Sequence, residues 1–462
     1  MTAYEVTRSS KALVVYQPKQ NLRSLIESRV DEAYRRSMEV TKTERRLLSP
    51  DTIPASSFSG KLRCMMAEMA KLHRNGALEG EFLVAKDTNV LLDLRGPNVI
   101  AAEKGNPQFM IGSVSKQFLA VALLKALYEK AVGRTETEKT ADVIRMLHLP
   151  LCYFLPKEAA VWSNEMPEWV GQITLHHLLS HTSGLFDYTD SPEYDAMTGT
   201  GKKQFETPHS ASQILRLVST RPLNFTPGSS YSYSNTGFLL IAEVIETMTG
   251  KEASKYFQKA LFDPLKLTST LSIPKGNSIQ LRESDPRCSR LVPELSYDPA
   301  DDQSLSPSTI LHDVSWAHGA GSIISTAGDL LKWNVALHQN RSVLPRPLYE
   351  LLIRKNLGEY AYGIFRDDDF GGETLLTHHG RIGTYMSALL FLPGHQISVI
   401  TLTHADVISP RIEQESEKLH EELKDDIPDL AKRSAAVSKI LMEKYPDQRQ
   451  GVGEALGSFY RT

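Results

Sequence analysis

Cysteine is scarce in this sequence of 462 residues, which contains three. Cys64, Cys152 and Cys288 are too scattered for a disulfide framework, and none belongs to the C-x-x-C pair typical of structural zinc sites. The chain also has no large excess of charge of one sign, because its 52 basic and 55 acidic residues are interspersed and leave a net charge of -3. This balance argues against a nucleic-acid partner, which would require a basic surface.

Long apolar runs are also missing from the start of the chain. Residues 1–37 contain only the short apolar stretch ALVVY, which charged residues follow. Such a stretch is neither the apolar core of a signal peptide nor a membrane-spanning segment. We therefore expect a soluble, cytoplasmic protein without a membrane span, and leave secretion without a leader open.

The residue pattern predicts three regions. A partly helical N-terminal extension covers 1–55, a folded domain covers 56–405, and a charged helical segment covers 406–462. Within the domain, EFLVAKDTNVLLDL predicts two strands joined by a turn, and LLTHHG, TYMSALLFLPG and QISVITLTH predict further strands. The stretch at about 135–308 is expected to be an all-helical insertion, and strands from both ends of the domain to pair in one sheet.

One polar cluster stands at the start of an apolar helix in FMIGSVSKQFLAVALLKAL, residues 109–127. The run after Gln117 is apolar on every face, which predicts a buried helix, yet its first turn carries Ser113 and Lys116. Residues three apart share a helix face, so the amine can lie over the hydroxyl. An amine shielded from water can accept the serine proton during attack on a carbonyl, while the helix N-terminus offers N–H groups to the oxyanion.

The S-x-x-K spacing alone is weak evidence. It recurs at Ser272–Lys275, where Pro274 and the following glycine rule out a helix. A serine that merely begins a core helix is the alternative interpretation of Ser113.

A second cluster, Tyr233-Ser234-Asn235, precedes another apolar helix. We interpret Tyr233 as a proton acceptor for Ser113, and Asn235 as a partner of Lys116 or of the substrate amide. A phenol with a pKa near 10 must fall by about two to three units for this role, so a charged Lys116 would have to lower the Tyr233 pKa. A helix start with aromatic packing is the alternative.

A third cluster lies in THHGRIGTY, at the end of an apolar strand. Gly380 would let a substrate lie close to the strand edge, His378 would face the pocket, and the Arg381 N–H would be a second oxyanion donor. Ordinary surface histidines are the alternative.

Three further histidines raise the question of a metal. His177 and His181 are one helical turn apart, beside His176, but no acidic residue stands at a suitable spacing. We therefore predict no metal, and interpret the segment from His181 to Gly184 as a structured turn beside the site.

The three clusters, as S-x-x-K, Y-x-N and H-x-G in this order, resemble the motifs of the serine beta-lactamase and penicillin-binding-protein superfamily, in its class C beta-lactamase-like branch. The segments ITLHHLLSHTSGLFDY, FTPGSSYSYSNTGF and GAGSIISTAGDLLKW resemble those of this branch too, so the resemblance covers about residues 58–404. The predicted site comprises the catalytic residues Ser113, Lys116 and Tyr233 and the substrate-binding residues Asn235, His378, Gly380 and Arg381.

The resemblance implies an α+β fold in which one antiparallel sheet is flanked by helices and carries a helical subdomain. It also implies an acyl-enzyme mechanism without metal or organic cofactor, acting on a small-molecule or peptide substrate. Beta-lactamases usually have lysine where this chain has His378, which at pH 7 is about one-quarter charged and binds a carboxylate weakly. An esterase or D-amino-acid peptidase is therefore favoured over a beta-lactamase. The alternative is a non-catalytic or filament-forming scaffold, and a homo-oligomer is a hypothesis in either case.

Overall fold

The computed structural model describes residues 79–96, 106–162, 166–194, 209–274, 288–293, 295–298, 301–307, 314–370 and 372–404, together with His73 and Val99. The predicted extension at 1–55 and the predicted C-terminal segment at 406–462 lie outside these residues.

The strands of the described chain are, in order, β1 Gly80–Lys86, β2 Asn89–Arg95, β3 Phe109–Met110, β4 Leu271–Ser272, β5 Leu295–Asp298, β6 Asp301–Pro307, β7 Ile323–Ser325, β8 Phe365–Asp367, β9 Leu375–Ile382, β10 Tyr385–Leu392 and β11 Ile397–Thr403. The α-helices are α1 Ser115–Lys130, α2 Glu136–Leu147, α3 Leu175–Leu179, α4 Ala211–Ser219, α5 Asn235–Thr249, α6 Ala253–Phe257, α7 Ala327–Asn334 and α8 Arg346–Leu352.

The main sheet is antiparallel and has the strand order β2-β1-β11-β10-β9-β8. Its centre joins the two ends of the domain, since β1 pairs with β11 along its whole length. Alternate residues of β1 point to opposite faces: Leu83 and Ala85 enter the main core, whereas Phe82 and Val84 enter a second apolar cluster. Both faces of the sheet are therefore covered, and the predicted pairing of the two ends is confirmed.

Helix α1 lies in the main core, as the sequence predicted. Its side chains are buried from Ser115 to Leu124, including Lys116. A second, three-stranded sheet, β3-β7-β4, sets the start of this helix, because β3 pairs with β7 and the Ile111 N–H donates to the Ile323 carbonyl at 3.0 Å. The chain then makes a 3₁₀ turn at Gly112–Val114 and enters α1. The polar first turn is thus attached to the β-structure on one side and to the core on the other.

The region between 135 and 308 contains α2 to α6, as predicted, but it is not all helical. Strand β4 lies in it and pairs with β7, and β5 and β6 form a hairpin in which Leu295 faces Pro307. This part of the prediction was wrong. A two-residue strand held by a distant partner, such as β4, leaves no periodicity in the sequence. Strand β6, DDQSLSP, is mostly polar and lacks the apolar alternation that predicts a strand. The predicted class, antiparallel sheet and helices in an α+β fold, is confirmed. None of the described helices has the length and apolarity needed to cross a bilayer.

Candidate active site

The Lys116 amine is at the centre of the polar cluster. Its Nζ lies 2.8 Å from Ser113 Oγ, 2.8 Å from Asn235 Oδ1 and 2.9 Å from the Ala320 carbonyl oxygen. Two of these partners, the amide oxygen and the carbonyl, can only accept hydrogen bonds. A neutral amine has two N–H groups for them and one lone pair, which then faces the Ser113 hydroxyl. The cluster therefore accommodates a neutral lysine, whose lone pair can accept the serine proton, as well as the ammonium that this transfer forms.

The protonation of Lys116 follows from its burial. The side chain is inaccessible to solvent, and this burial lowers the pKa of Lys116 from its ordinary value of 10.5 to about 7, while the nearby Asp187 carboxylate opposes the shift. A substantial fraction of the amine is then neutral at physiological pH, unlike an exposed lysine.

Tyr233 closes the cluster on another side. The centre of the Tyr233 ring lies 5.0 Å from Lys116 Nζ, and the Tyr233 hydroxyl is hydrogen-bonded to Ser113. Burial raises the pKa of Tyr233 above its ordinary value, and this outweighs the hydrogen bond, which lowers it. The predicted fall in the Tyr233 pKa was wrong, because a buried phenolate loses more hydration than the adjacent, partly neutral amine restores. Tyr233 is a protonated phenol in the resting site.

Asn235 is the first residue of α5 and is held from behind by an aspartate. Its backbone N–H and its Nδ2 both donate to Asp187 Oδ2, each at 2.9 Å. Asp187 was not among the residues singled out from the sequence. The available signal was an acidic residue between Phe186 and Tyr188, a place where an unpaired carboxylate would be costly.

Gly380 brings strand β9 against the turn that carries the nucleophile. A Cβ atom at Gly380 would lie 2.1 Å from the Ile111 carbonyl oxygen and 2.8 Å from the Ser113 nitrogen. Gly112, at φ +47°, contacts β9 from the other side, since a Cβ atom at Gly112 would lie 2.7 Å from the Arg381 nitrogen. The two backbone segments touch only because both residues are glycine.

The Arg381 N–H points towards this contact. Ile382 and Tyr385 close a two-residue turn between β9 and β10. The closing pair of such a hairpin is hydrogen-bonded, and successive N–H groups point to alternate sides of a strand. The Arg381 N–H therefore points away from β10, on the side where the pairing of β9 with β8 stops at Thr377. It is available there together with the Ser113 N–H, whereas the Arg381 side chain itself is exposed.

His378 is buried and neutral. Its Nδ1 lies 2.6 Å from the His379 carbonyl oxygen, so this nitrogen carries the proton, and its Nε2 accepts from the Tyr360 hydroxyl at 3.0 Å. Burial, and to a smaller extent the charge of Lys116, lower the pKa of His378 to about 3. No acid raises it, so His378 offers the site an uncharged ring.

The other histidines each have a partner of their own. His181 Nδ1 accepts from the Ser234 N–H at 3.1 Å, and its ring packs 4.2 Å from that of Tyr233. His176 Nδ1 lies 2.6 Å from the Tyr362 hydroxyl, and His177 Nδ1 accepts from the backbone of the preceding turn. The segment at His181 is therefore a structured turn beside the site.

A metal-capable group exists elsewhere among the described residues. Glu243, Glu246 and His318 place ligand atoms within 4.8 Å of one another. Glu246 Oε1 also lies 3.1 Å from His318 Nε2 and accepts from the Ala253 N–H at 3.0 Å. Two carboxylates and an imidazole suit a cation such as zinc, and no residue spacing in the chain had indicated this group. The chemistry proposed below does not use it.

An antiparallel sheet flanked by helices, with a serine and a buried lysine three residues apart at the start of a core helix, defines the penicillin-binding-protein type of serine-hydrolase fold. The chain belongs to the Beta-lactamase family, whose model matches residues 63–420. The resemblance read from the three motifs is thereby confirmed.

Known relatives are distant. Esterase EstB of Burkholderia gladioli is 23% identical over 325 residues, which are 66% of this chain and 77% of the esterase. A D-aminopeptidase of Gluconobacter oxydans is 23% identical over 235 residues, 49% of this chain and 40% of the peptidase. Apart from the esterase, the chain spans about half or less of the first curated relatives. Among solved structures, the octameric penicillin-binding protein homologue from Pyrococcus abyssi is similar with a TM-score of 0.58 and 21% identity, over 77% of this chain and 75% of that one.

Proposed function

We propose that this protein is a serine hydrolase that cleaves a small ester or amide through an acyl-enzyme on Ser113. The observation that carries the proposal is the position of the Lys116 amine, buried and 2.8 Å from the Ser113 hydroxyl, with a pKa lowered to about 7. A general base works best when its pKa lies near the working pH. A serine that only begins a helix has no need of a buried amine.

Acylation uses the cluster as follows. Ser113 Oγ attacks the substrate carbonyl carbon, and its proton passes to the neutral Lys116 amine. The carbonyl oxygen becomes an oxyanion, which the Ser113 and Arg381 N–H groups stabilise at the N-terminus of α1. Asn235 Oδ1 and the Ala320 carbonyl hold the ammonium that forms, because both accept its N–H groups.

Collapse of this intermediate breaks the bond between the carbonyl carbon and the leaving oxygen or nitrogen. Tyr233 is hydrogen-bonded to Ser113 and remains protonated, so it donates a proton to the leaving group and regains one from the Lys116 ammonium. Water then attacks the acyl carbon and gives a proton to the lysine–tyrosine pair. The bond between the acyl carbon and Ser113 Oγ breaks, Oγ takes the proton back from the pair, and the acid and the free serine are released. The reaction needs no metal ion or organic cofactor.

The neutral His378 bears on the substrate class. With a pKa lowered to about 3, it provides no charge for a substrate carboxylate at the position where beta-lactamases usually have a lysine. The substrate is therefore an ester or an amide without a carboxylate at this place, not a beta-lactam. The names of two relatives, an esterase and a D-aminopeptidase, support this class. Assembly into a homo-oligomer, by analogy with the octameric homologue, stays a prediction.

A fluorophosphonate probe tests the proposal, because it reacts with activated serines. We expect covalent labelling of the folded protein that is lost in Ser113→Ala. Ser272→Ala is the matched control: Ser272 belongs to the second S-x-x-K spacing of the chain but lies in strand β4, so labelling should be unchanged. Absence of labelling in the folded wild type would contradict the hydrolase and favour a ligand-binding or scaffolding protein of the same fold.

A further inference from the structure

Asp187 occupies a buried position directly behind the active-site amide. One of its oxygens, Oδ2, accepts from both the backbone N–H and Nδ2 of Asn235 at 2.9 Å. The other, Oδ1, accepts from the Thr189 N–H at 3.1 Å. The same segment is fixed to α5 a second time, since the Tyr188 N–H donates to Thr236 Oγ1 and that hydroxyl donates to the Phe186 carbonyl. The carboxylate is therefore rigidly placed at the N-terminus of a 15-residue helix.

This contact decides which end of the Asn235 amide faces the reaction. Because Nδ2 is bound to a carboxylate, Oδ1 has to point the other way, and it accepts from Lys116 Nζ at 2.8 Å. A reversed amide would place two donors, Nδ2 and the amine, against each other. We propose that Asp187 is a positioning residue of the proposed hydrolase. It orients the Asn235 amide and sets the proton affinity of Lys116. The inference rests on the proposed function.

The second part of this role is electrostatic. The titratable groups around Lys116 in the described chain are Tyr233 before α5, His181 in its turn, His378 on β9 and Asp187. Burial keeps both imidazoles neutral by lowering their pKa values, and it keeps the phenol protonated by raising its pKa. Among these groups, the carboxylate supplies the negative charge, and it raises the Lys116 pKa against the effect of burial.

The size of this effect can be estimated. Two successive hydrogen bonds through an amide separate the carboxylate and the amine by roughly 6–7 Å, and at an effective dielectric of about 20 their attraction corresponds to about one to two pH units. Without Asp187, the Lys116 pKa would therefore fall from about 7 to about 5 or 6. The base would lose its proton more readily, although its hydrogen-bonding partner would be less well oriented.

The test compares Asp187→Asn with the wild type. The rate of fluorophosphonate labelling is measured from pH 4 to pH 9, and we expect the acid limb of the profile to move down by about one to two pH units, with a lower plateau. Asp187→Glu keeps the charge but displaces it, so its acid limb should stay near that of the wild type while its plateau falls. A wild-type limb in Asp187→Asn, or an equal downward shift in both variants, would overturn the inference.

A control separates this role from that of a structural carboxylate. Asp329 is likewise buried, and its Oδ2 accepts from the Ser269 N–H at 2.8 Å and from Thr270 Oγ1 at 3.0 Å, neither of which belongs to the catalytic cluster. Asp329→Asn should lower the melting temperature and leave the pH profile in place. If Asp187→Asn also lowers the melting temperature and leaves the pH profile in place, Asp187 only stabilises the fold and the inference fails.

A second measurement does not depend on activity. The unfolding free energy of the wild type is expected to rise with pH above the folded-state pKa of Lys116, about 7. In Asp187→Asn this rise should begin about one to two pH units lower. Absence of Ser113-dependent labelling in the wild type would refute the proposed hydrolase. If the unfolding free energy of Asp187→Asn begins to rise at the same pH as that of the wild type, the role of Asp187 is refuted.

Discussion

The contact between strand β9 and the nucleophile turn permits a prediction from geometry alone. In Gly380→Ala, the new Cβ would lie 2.1 Å from the Ile111 carbonyl oxygen, a backbone atom that no side-chain rotation can move. Cβ contacts below 3.0 Å are essentially never observed, so β9 must withdraw by about 0.9 Å. This movement carries the Arg381 N–H away from the oxyanion position.

The expected cost follows from the size of the displacement. A misplacement of about 1 Å costs about 100-fold in rate, and loss of one oxyanion donor costs about 100- to 1,000-fold. We therefore expect Gly380→Ala to lower kcat for a p-nitrophenyl ester by at least about 100-fold. Overpacking should also lower the unfolding free energy by about 1–3 kcal/mol, which leaves the variant folded at 25 °C.

The matched control is Gly171→Ala. No atom lies within 4 Å of the Cβ position of Gly171, so this substitution should leave kcat unchanged. Circular dichroism would establish that both variants are folded. A folded Gly380→Ala protein with a kcat within threefold of the wild type would refute the idea that the turn and β9 together form the oxyanion site.

Two further predictions concern the proton-transfer groups. Burial lowers the Lys116 pKa from 10.5 to about 7. Between pH 7 and pH 10.5 the unfolded chain therefore binds more protons than the folded protein, so the unfolding free energy of the wild type rises with pH. Lys116→Met lacks this gain. Urea unfolding at pH 7 and pH 9 should show the wild type gaining about 2 kcal/mol relative to the variant, and a constant difference would contradict the low pKa. Tyr233→Phe removes the donor to the leaving group and should lower kcat by about 100-fold with little change in KM; a near-normal kcat would remove Tyr233 from the mechanism.

Local pattern was sufficient for the parts of this protein that depend on near neighbours in the chain. The apolar run after Gln117 determined that α1 is buried on all sides, and the three-residue spacing placed Ser113 and Lys116 on one helix face. The alternating strands at both ends of the domain predicted five of the six strands of the main sheet, β1, β2, β9, β10 and β11, because their period of two is a local property. The short edge strand β8 was not predicted. The three motifs in order were enough to indicate the family.

The chemistry of the site was decided by the tertiary structure. The acceptors of the Lys116 amine come from residues 119 and 204 positions along the chain, and Asp187 reaches it through one of them. The direction of the Tyr233 pKa was predicted wrongly, because the sequence shows that a lysine is near but not how much water the fold removes. A pKa is the balance of desolvation and surrounding charge, and both are set only when distant segments pack together.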